Sequence, residues 1–196
     1  MKRLLLAFLL FSLLLTTAAQ SGVITGKVVS IADGDTITIL DSNKTQHKIR
    51  LYGIDTPEKS QAFGNAAKKS TANLTALKTA EVIAYDTDRY GRTVGVVMID
   101  GENVNQGLIN AGFAWQYREY CKEAFCTDWI GLEGEARKAR MGLWADTNPQ
   151  APWDYRKGQR SNTASSSTIN NTASTGGYHG NSKSHGRVSL SELQKL

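Results

Sequence analysis

Three short stretches of alternating polar and apolar residues near the start of the chain constrain its fold more than any other feature. Residues 23–32 are rich in valine and isoleucine, residues 35–40 alternate with period two, and residues 48–54 alternate again. An Asp-Gly dipeptide at 33–34 separates the first two stretches, and a polar segment at 41–46 separates the last two. Period-two alternation is typical of half-buried strands, and Asp-Gly is typical of tight hairpin turns. The pattern therefore predicts a meander of three strands.

The rest of the chain carries further strand patterns together with helical ones. We predict helices at residues 60–77, 104–111 and 129–141, and strands at residues 82–85 and 93–99. Pro57 ends the meander, because proline cannot lie in a central strand. Five short strands with one interrupting helix and trailing helices predict an α+β fold, namely a small Greek-key barrel decorated by helices.

The two ends of the chain differ from its middle in composition. Residues 1–19 begin with Lys2 and Arg3, continue with a 12-residue apolar run and end in small residues, which predicts a secretory signal peptide. A permanent membrane anchor is the weaker alternative, because a spanning helix needs about 20 apolar residues. Residues 161–196 are rich in serine, threonine, asparagine and glycine, which predicts a disordered tail. We therefore expect one domain at residues 20–160, in a protein that is secreted or periplasmic.

Composition excludes several classes of function. The chain carries 23 basic and 18 acidic residues, but five of the basic and one of the acidic residues lie in the two ends. The remaining 18 basic and 17 acidic residues give residues 20–160 a net charge of 18 − 17 = +1. Such a small net charge does not by itself predict a nucleic-acid partner. Two cysteines and His47 are too few for a closed zinc site, which needs four ligands. The glycine-rich loops that bind nucleotide cofactors are absent from the sequence.

Charged side chains fall at the predicted turns and strand ends. They are Asp33, Asp35, Arg50, Asp55, Glu58 and Arg92. Carboxylates separated by a backbone carbonyl suit a hard cation such as calcium, and two arginines can bind phosphate oxygens in a bidentate manner. A glutamate near a cation is a candidate general base. Each motif taken alone is equally compatible with an ordinary turn or helix start, so the residues indicate a metal-assisted phosphate site and leave that alternative open.

Five sequence blocks agree at once with a known family. They are DGDTITI, IRLYGIDTPE, DRYGR, GENVNQGLINAGFAW and EGEARKARMGLW, spread over residues 22–144. Their order and spacing closely resemble the thermonuclease family, the staphylococcal or micrococcal nuclease type. The resemblance implies an OB-fold, a five-stranded β-barrel with about three helices. It also implies a calcium-dependent phosphodiesterase that acts on DNA and RNA with little sequence specificity and cleaves the P–O5′ bond to leave 3′-phosphate ends.

The resemblance implies a metal site and a general base in the first two blocks. Asp35 and Asp55 are similar to the family's calcium carboxylates, and Thr56 would contribute its backbone carbonyl. Glu58 would act as the general base on the attacking water. Asp33 resembles a carboxylate that tunes the site without clear direct ligation.

The resemblance also implies the residues that hold the substrate. Arg50 and Arg92 would stabilise the charge that accumulates on the phosphoryl oxygens in the transition state. Arg89 and Tyr90 lie where the family contacts the substrate's terminal phosphate. Tyr117 is similar to a base-stacking tyrosine, although a role as a core aromatic residue is equally open. A stacking ring tolerates any base, and we expect single strands to be preferred.

Two further expectations depend on how the chain departs from the family. Cys121 and Cys126 lie in an insertion-like stretch, where a local disulfide is the natural interpretation for an exported protein and two free thiols are the alternative. The segment after Glu58 is short, which leaves the balance of internal and terminal cleavage open.

We expect a monomer that has no stable membrane association after signal cleavage. The alternative function is a non-catalytic OB-fold protein that binds single strands.

Overall fold

The computed structural model describes residues 22–161, and its central feature is a closed barrel of five strands. The strands among these residues are, in chain order, β1 (Val23–Ile31), β2 (Thr36–Leu40), β3 (Gln46–Leu51), β4 (Ile54–Asp55), β5 (Thr79–Thr87), β6 (Thr93–Ile99), β7 (Glu102–Asn103) and β8 (Trp115–Gln116). Antiparallel ladders join β3, β2, β1, β5 and β6 in that order, and a parallel ladder between β3 and β6 closes the barrel. The predicted α+β OB-fold is confirmed.

Four helices accompany the barrel within the described residues. They are α1 (Gly64–Thr75), α2 (Val104–Asn110), α3 (Cys126–Lys138) and a helix at residues 152–161, with a short 3₁₀ turn at Gly142–Ala145. A first compact unit ends at Tyr155, and residues 156–161 are the described part of a second unit. Three helices were expected, and the additional one lies at the boundary with the predicted tail.

The bounds of two helices, α1 and α3, differ from the prediction. Helix α1 begins at Gly64 because Phe63 has a positive φ of 65°, which is not helical. It ends at Thr75, and Leu77 has a φ of 62° and is exposed. Helix α3 begins three residues before the predicted start, at Cys126, and ends three residues before the predicted end, at Lys138.

The alternation of polar and apolar residues in the first strands correctly predicts which side chains form the core. Ile37 and Ile39 of β2 and Ile49 and Leu51 of β3 are at most 1 % exposed. Burial of one such side chain contributes roughly 1.5–3 kcal/mol to folding. The Asp-Gly turn between β1 and β2 also packs tightly, since a Cβ atom on Gly34 would lie 2.6 Å from the Thr56 hydroxyl oxygen.

The predictions for the chain ends lie largely outside the structure. The predicted signal peptide, residues 1–19, and the predicted tail beyond residue 161 are not among the described residues. Between residues 22 and 161, no helix has the length and apolar character needed to cross a membrane.

Candidate active site

Three predicted site residues lie on adjacent backbone segments at one end of the β2–β3 ladder. Asp35 immediately precedes β2, and its carbonyl accepts a hydrogen bond of 2.8 Å from the backbone N–H of Leu51. Arg50 lies directly opposite Thr36 in the ladder. Asp55 ends β4, two residues after the turn that follows β3. The carboxylates of Asp35 and Asp55 are almost completely buried, at 2 % and 0 % exposure.

The Arg50 guanidinium bridges the two buried carboxylates. Its Nη1 donates to Oδ1 of Asp35, and its Nη2 donates to Oδ1 of Asp55 at 2.7 Å. The same Nη2 lies 3.3 Å from the carbonyl oxygen of Ile54. Removing one partner from a buried ion pair costs about 3–5 kcal/mol, because the other charge is left uncompensated. The bridge therefore fixes the position of all three side chains.

Burial and charge act in opposite directions on the protonation of this bridge. Burial alone would lower the pKa of Arg50, but the carboxylates of Asp35 and Asp55 outweigh it and raise that pKa. Burial raises the pKa of the Asp35 carboxyl, and the Arg50 guanidinium opposes that shift. The arginine is consequently charged at any physiological pH.

Two threonines complete the hydrogen bonding of Asp35. The backbone N–H and the hydroxyl of Thr56 donate to Asp35 Oδ2 at 2.8 and 2.9 Å. The Thr36 hydroxyl lies 3.3 Å from Asp35 Oδ1. The carboxylate is thereby fixed by groups from β2, β3 and the segment after β4.

Arg92 reaches the same cluster from the loop between β5 and β6. Its Nη1 lies 3.3 Å from the Thr36 hydroxyl, and its Nε donates to Asp88 Oδ2 at 2.7 Å. Asp88 also accepts backbone N–H bonds from Tyr90 and Arg92, at 2.9 and 3.0 Å. Partial burial would raise the pKa of Asp88, but these hydrogen bonds lower it. The loop is thus organised around an ionised Asp88.

Thr36 and Asp88 were not predicted as site residues. Thr36 links Asp35 to Arg92, and Asp88 orients the Arg92 guanidinium. Asp88 carried a usable signal, because an aspartate at the start of a turn accepts backbone N–H bonds from residues two or more positions later. Thr36 carried none, since an alternating threonine is ordinary in a strand.

Arg89 and Tyr90, which were also predicted as site residues, lie in the same loop as Arg92. The Tyr90 side chain is 71 % exposed, and the guanidinium carbons of Arg89 and Arg92 lie 5.1 and 5.6 Å from its ring centroid. Both arginines are within cation–π range of the ring. An exposed ring flanked by two positive charges is available to an anionic ligand.

Glu58 lies in the loop that connects β4 to α1. Its backbone N–H donates to Gln61 Oε1 at 3.1 Å, and its carbonyl accepts from the Gln61 backbone N–H at 2.8 Å. A Cβ atom on Gly64 would overlap the Glu58 carbonyl oxygen, so the loop folds back closely on itself there. The structure therefore holds Glu58, which is half-buried, in a tight turn two residues after Thr56.

Tyr117 follows β8, the strand paired with β4. Its backbone N–H donates to the Gly53 carbonyl at 2.8 Å, and β8 places Trp115 opposite Asp55. The Tyr117 ring is half-buried and stacks on Trp153, with centroids 5.0 Å apart and planes inclined by 13°. One face of the ring is thus in contact with Trp153, and a role in base stacking stays a prediction.

The donor set fits the chemistry of a hard cation. The carboxylates of Asp35 and Asp55 and the carbonyl of Thr56 supply only oxygen atoms, which calcium and magnesium prefer. Within residues 22–161, no three His, Cys, Asp or Glu side chains converge as a group that could hold a metal ion. Because Arg50 bonds to Oδ1 of both carboxylates, a cation on these residues would share these oxygen atoms with the guanidinium or use the other oxygen atoms.

Comparison with known proteins identifies the class to which this barrel and its charged site belong. The sequence profile of the family described as "Staphylococcal nuclease homologue" matches residues 48–146. The chain is 43 % identical to an "Uncharacterized endonuclease" of Escherichia coli O157:H7 over 132 residues, which cover 67 % of this chain and 84 % of the relative. It is 40 % identical to a "Micrococcal nuclease" of Shigella flexneri over 147 residues, covering 70 % and 83 %.

A plant protein also matches, over a smaller part of its own length. The "Staphylococcal-like nuclease CAN1" of Arabidopsis thaliana is 41 % identical over 113 residues, which cover 58 % of this chain and 34 % of that protein. Fold, site and matches together define a nuclease, a hydrolase of phosphodiester bonds. The chain belongs to the staphylococcal nuclease family, and the resemblance to thermonucleases is confirmed.

Proposed function

We propose that this nuclease is an exported, calcium-dependent enzyme that hydrolyses DNA and RNA with little sequence specificity. The observation that carries the proposal is the Arg50 guanidinium held between the buried carboxylates of Asp35 and Asp55, with Arg92 linked to the same cluster. Acid groups for a cation and two arginines for a phosphate are thereby within one site. Membership of a nuclease family favours catalysis over the alternative of a non-catalytic single-strand binder.

The two arginines act on the scissile phosphate. Arg50 and Arg92 donate to its non-bridging oxygens, where negative charge grows as the transition state forms. Arg92 also stabilises the charge that develops on the departing O5′ atom, which takes a proton from solvent water to become the 5′-hydroxyl. The planar guanidinium suits this role because its nitrogen atoms match the spacing of phosphate oxygens.

Glu58 is the general base of the proposed reaction. It takes a proton from a water molecule whose oxygen forms the new bond to phosphorus, while the bond from phosphorus to O5′ breaks. The products are a 3′-phosphate on one fragment and a 5′-hydroxyl on the other. Asp35, Asp55 and the Thr56 carbonyl would hold calcium, which would supply positive charge to stabilise the phosphate.

Residues outside the reacting centre hold the strand without reading its sequence. Arg89 and Tyr90 contact a terminal phosphate, and Tyr117 stacks on a base. Stacking on an aromatic ring is open to every base, which explains a broad substrate range and a preference for single strands. We propose that the enzyme acts as a monomer.

Export into the periplasm or the medium is supported by two features of the chain. Residues 1–19 have the pattern of a signal peptide. The Sγ atoms of Cys121 and Cys126 are 2.02 Å apart, and such a pair persists in oxidising compartments. Cell fractionation with sequencing of the mature N-terminus tests this part of the proposal, and an intact N-terminus in the cytosol would contradict it.

One experiment tests the enzymatic proposal as a whole. The mature protein is incubated with single- and double-stranded DNA and RNA oligonucleotides, with calcium or with a chelator, and the fragment ends are identified by mass spectrometry. We expect cleavage of all four substrates in calcium, fastest for single strands, with 3′-phosphate ends. Undiminished cleavage in chelator, or fragments ending in 3′-hydroxyl groups, would overturn the assignment of the metal or of the bond.

A further inference from the structure

A turn of two residues, Tyr52 and Gly53, connects Arg50 to Asp55. Strand β3 ends at Leu51 and β4 begins at Ile54, so this turn is the whole connection between the two strands. The Nη2 atom of Arg50 reaches Oδ1 of Asp55 at 2.7 Å across the turn. The position of the turn therefore sets the distance between the two side chains.

The cysteine pair packs directly against this turn. Gly53 has a φ of +68°, and a Cβ atom added to it would lie 2.5 Å from Cys121 Sγ and 3.1 Å from Cys121 Cβ. Cys121 and Cys126 are 7 % and 6 % exposed, so the disulfide is part of the interior. No side chain larger than hydrogen fits between the disulfide and the turn.

Hydrogen bonds from residues 117–122, the segment that contains Cys121, also hold the turn. The Tyr117 backbone N–H donates to the Gly53 carbonyl, and the Lys122 backbone N–H donates to the Tyr52 hydroxyl, both at 2.8 Å. A third bond, 2.9 Å from Asn105 Nδ2 to the Tyr52 carbonyl, comes from α2. A fourth bond, 2.8 Å from the Tyr52 backbone N–H to the Gly95 carbonyl, comes from β6, so two of the four bonds belong to residues 117–122.

The disulfide ties that segment to the start of α3. Cys126 is the first residue of α3, and Cys121 is hydrogen-bonded to the Tyr117 carbonyl through its backbone N–H, at 2.9 Å. The N-terminal part of α3 is fixed in the core by Trp129, which is 1 % exposed. The bond between the sulfur atoms therefore connects an anchored helix to the segment that supports the turn.

We propose that the Cys121–Cys126 disulfide is a positioning element of the active site. Through residues 117–122 it holds the Tyr52-Gly53 turn, and the turn sets the spacing of Arg50 and Asp55. The inference rests on the proposed roles of these two residues in phosphate and calcium binding. A dithiol reductant that gives two electrons and two protons to the sulfur atoms, and itself becomes a disulfide, releases the segment. The reduced enzyme is therefore folded but slow.

The first test compares Cys121→Ala/Cys126→Ala with a control of matched stability. Val28→Ala removes volume from the buried face of β1, where Val28 pairs with Ile39 of β2, and is chosen because it lowers the melting temperature without changing a site residue. At a temperature where both variants are folded, kcat and KM are measured on a short single strand, and calcium affinity is measured by calorimetry without substrate. Reduction of the unmodified protein by dithiothreitol is measured in parallel.

We expect the cysteine variant to lose roughly tenfold in kcat, since displacements below 1 Å already slow a positioned reaction. Its calcium affinity falls as well, KM changes less, and reduced wild-type protein behaves in the same way. Val28→Ala keeps kcat and calcium affinity within about twofold of wild type. A cysteine variant that melts lower but keeps both quantities would show that the disulfide only stabilises the fold, and would overturn the inference.

A second variant keeps the test valid if the cysteine variant does not fold. Gly53→Ala leaves the disulfide intact and forces the turn away from Cys121 Sγ, so kcat and calcium affinity should both fall. Unchanged kcat and calcium affinity in Gly53→Ala would contradict the proposed role of the turn, whether or not the cysteine variant folds. Where the cysteine variant folds, the same substitution in that background should cost less, because the sulfur atom is gone. Equal losses in the two backgrounds would contradict the proposed contact. Wild-type protein without calcium-dependent cleavage would overturn the proposed function and this inference together, whereas a fully active cysteine variant overturns the inference alone.

Discussion

Replacing Arg50 by lysine tests the site most directly, because the substitution keeps the positive charge and removes the planar guanidinium with its two terminal nitrogen atoms. Arg50 uses Nη1 for Asp35 and Nη2 for Asp55. A lysine ammonium is a single point of positive charge and cannot occupy both positions at once. For the same reason it cannot meet two phosphate oxygens in the geometry that a guanidinium allows.

The expected losses can be stated for catalysis and for stability separately. Loss of one preorganised donor to the transition state costs about 3 kcal/mol, or roughly 10²-fold in kcat. In the free protein one buried carboxylate loses its direct partner, which costs at most the roughly 3–5 kcal/mol of a fully broken buried pair, because the lysine charge stays nearby. The fold survives such a loss, because stabilities of 5–15 kcal/mol are typical of single domains.

The assay measures kcat and KM on a short single-stranded oligonucleotide in calcium, together with urea unfolding of each protein. Arg137→Lys is the matched control, since Arg137 is also paired with a buried carboxylate, at 2.9 Å from its Nε to Glu133 Oε1, but is not assigned to the cation or to the scissile phosphate. We expect the control to change stability and leave kcat almost unaltered. An Arg50→Lys enzyme within about threefold of wild type would refute the reasoning, because a lost transition-state contact lowers kcat far more.

Three further predictions follow from the same structure and sequence. Glu58→Gln should lower kcat sharply with little change in KM, because the base acts on water and does not hold the strand; near-normal turnover would remove Glu58 from the mechanism. Magnesium should replace calcium poorly, since it demands stricter octahedral geometry, and equal turnover in the two ions would contradict the calcium assignment. Truncation after Arg160 should leave the melting temperature and activity on short oligonucleotides almost unchanged, because residues 161–196 contain few apolar side chains to bury. A small loss of affinity for long DNA at low salt is expected, and a melting temperature several degrees lower would show that the tail docks on the domain.

Much of the fold was predictable because its signals are local. The alternation in β2 and β3 identified Ile37, Ile39, Ile49 and Leu51 as core residues, and all four are buried. Helix ends were predicted less well, since the positive φ angles of Phe63 and Leu77 depend on how the chain packs rather than on residue type. The residue types of Asp35, Arg50 and Asp55 indicated a metal-assisted phosphate site, and the family resemblance implied their roles, without any indication of how they would be paired.

By itself, the sequence determined which residues alternate, where turns occur, and which charged groups lie at strand ends, because these properties depend on a few neighbouring residues. Only the tertiary structure decided that β3 and β6 pair in parallel, that Arg50 lies between two carboxylates, and that Thr36 links Asp35 to Arg92. It also decided that a disulfide packs on Gly53. These contacts join segments distant in the chain, and their geometry follows from closure of the barrel and burial of its core, which no short sequence pattern encodes.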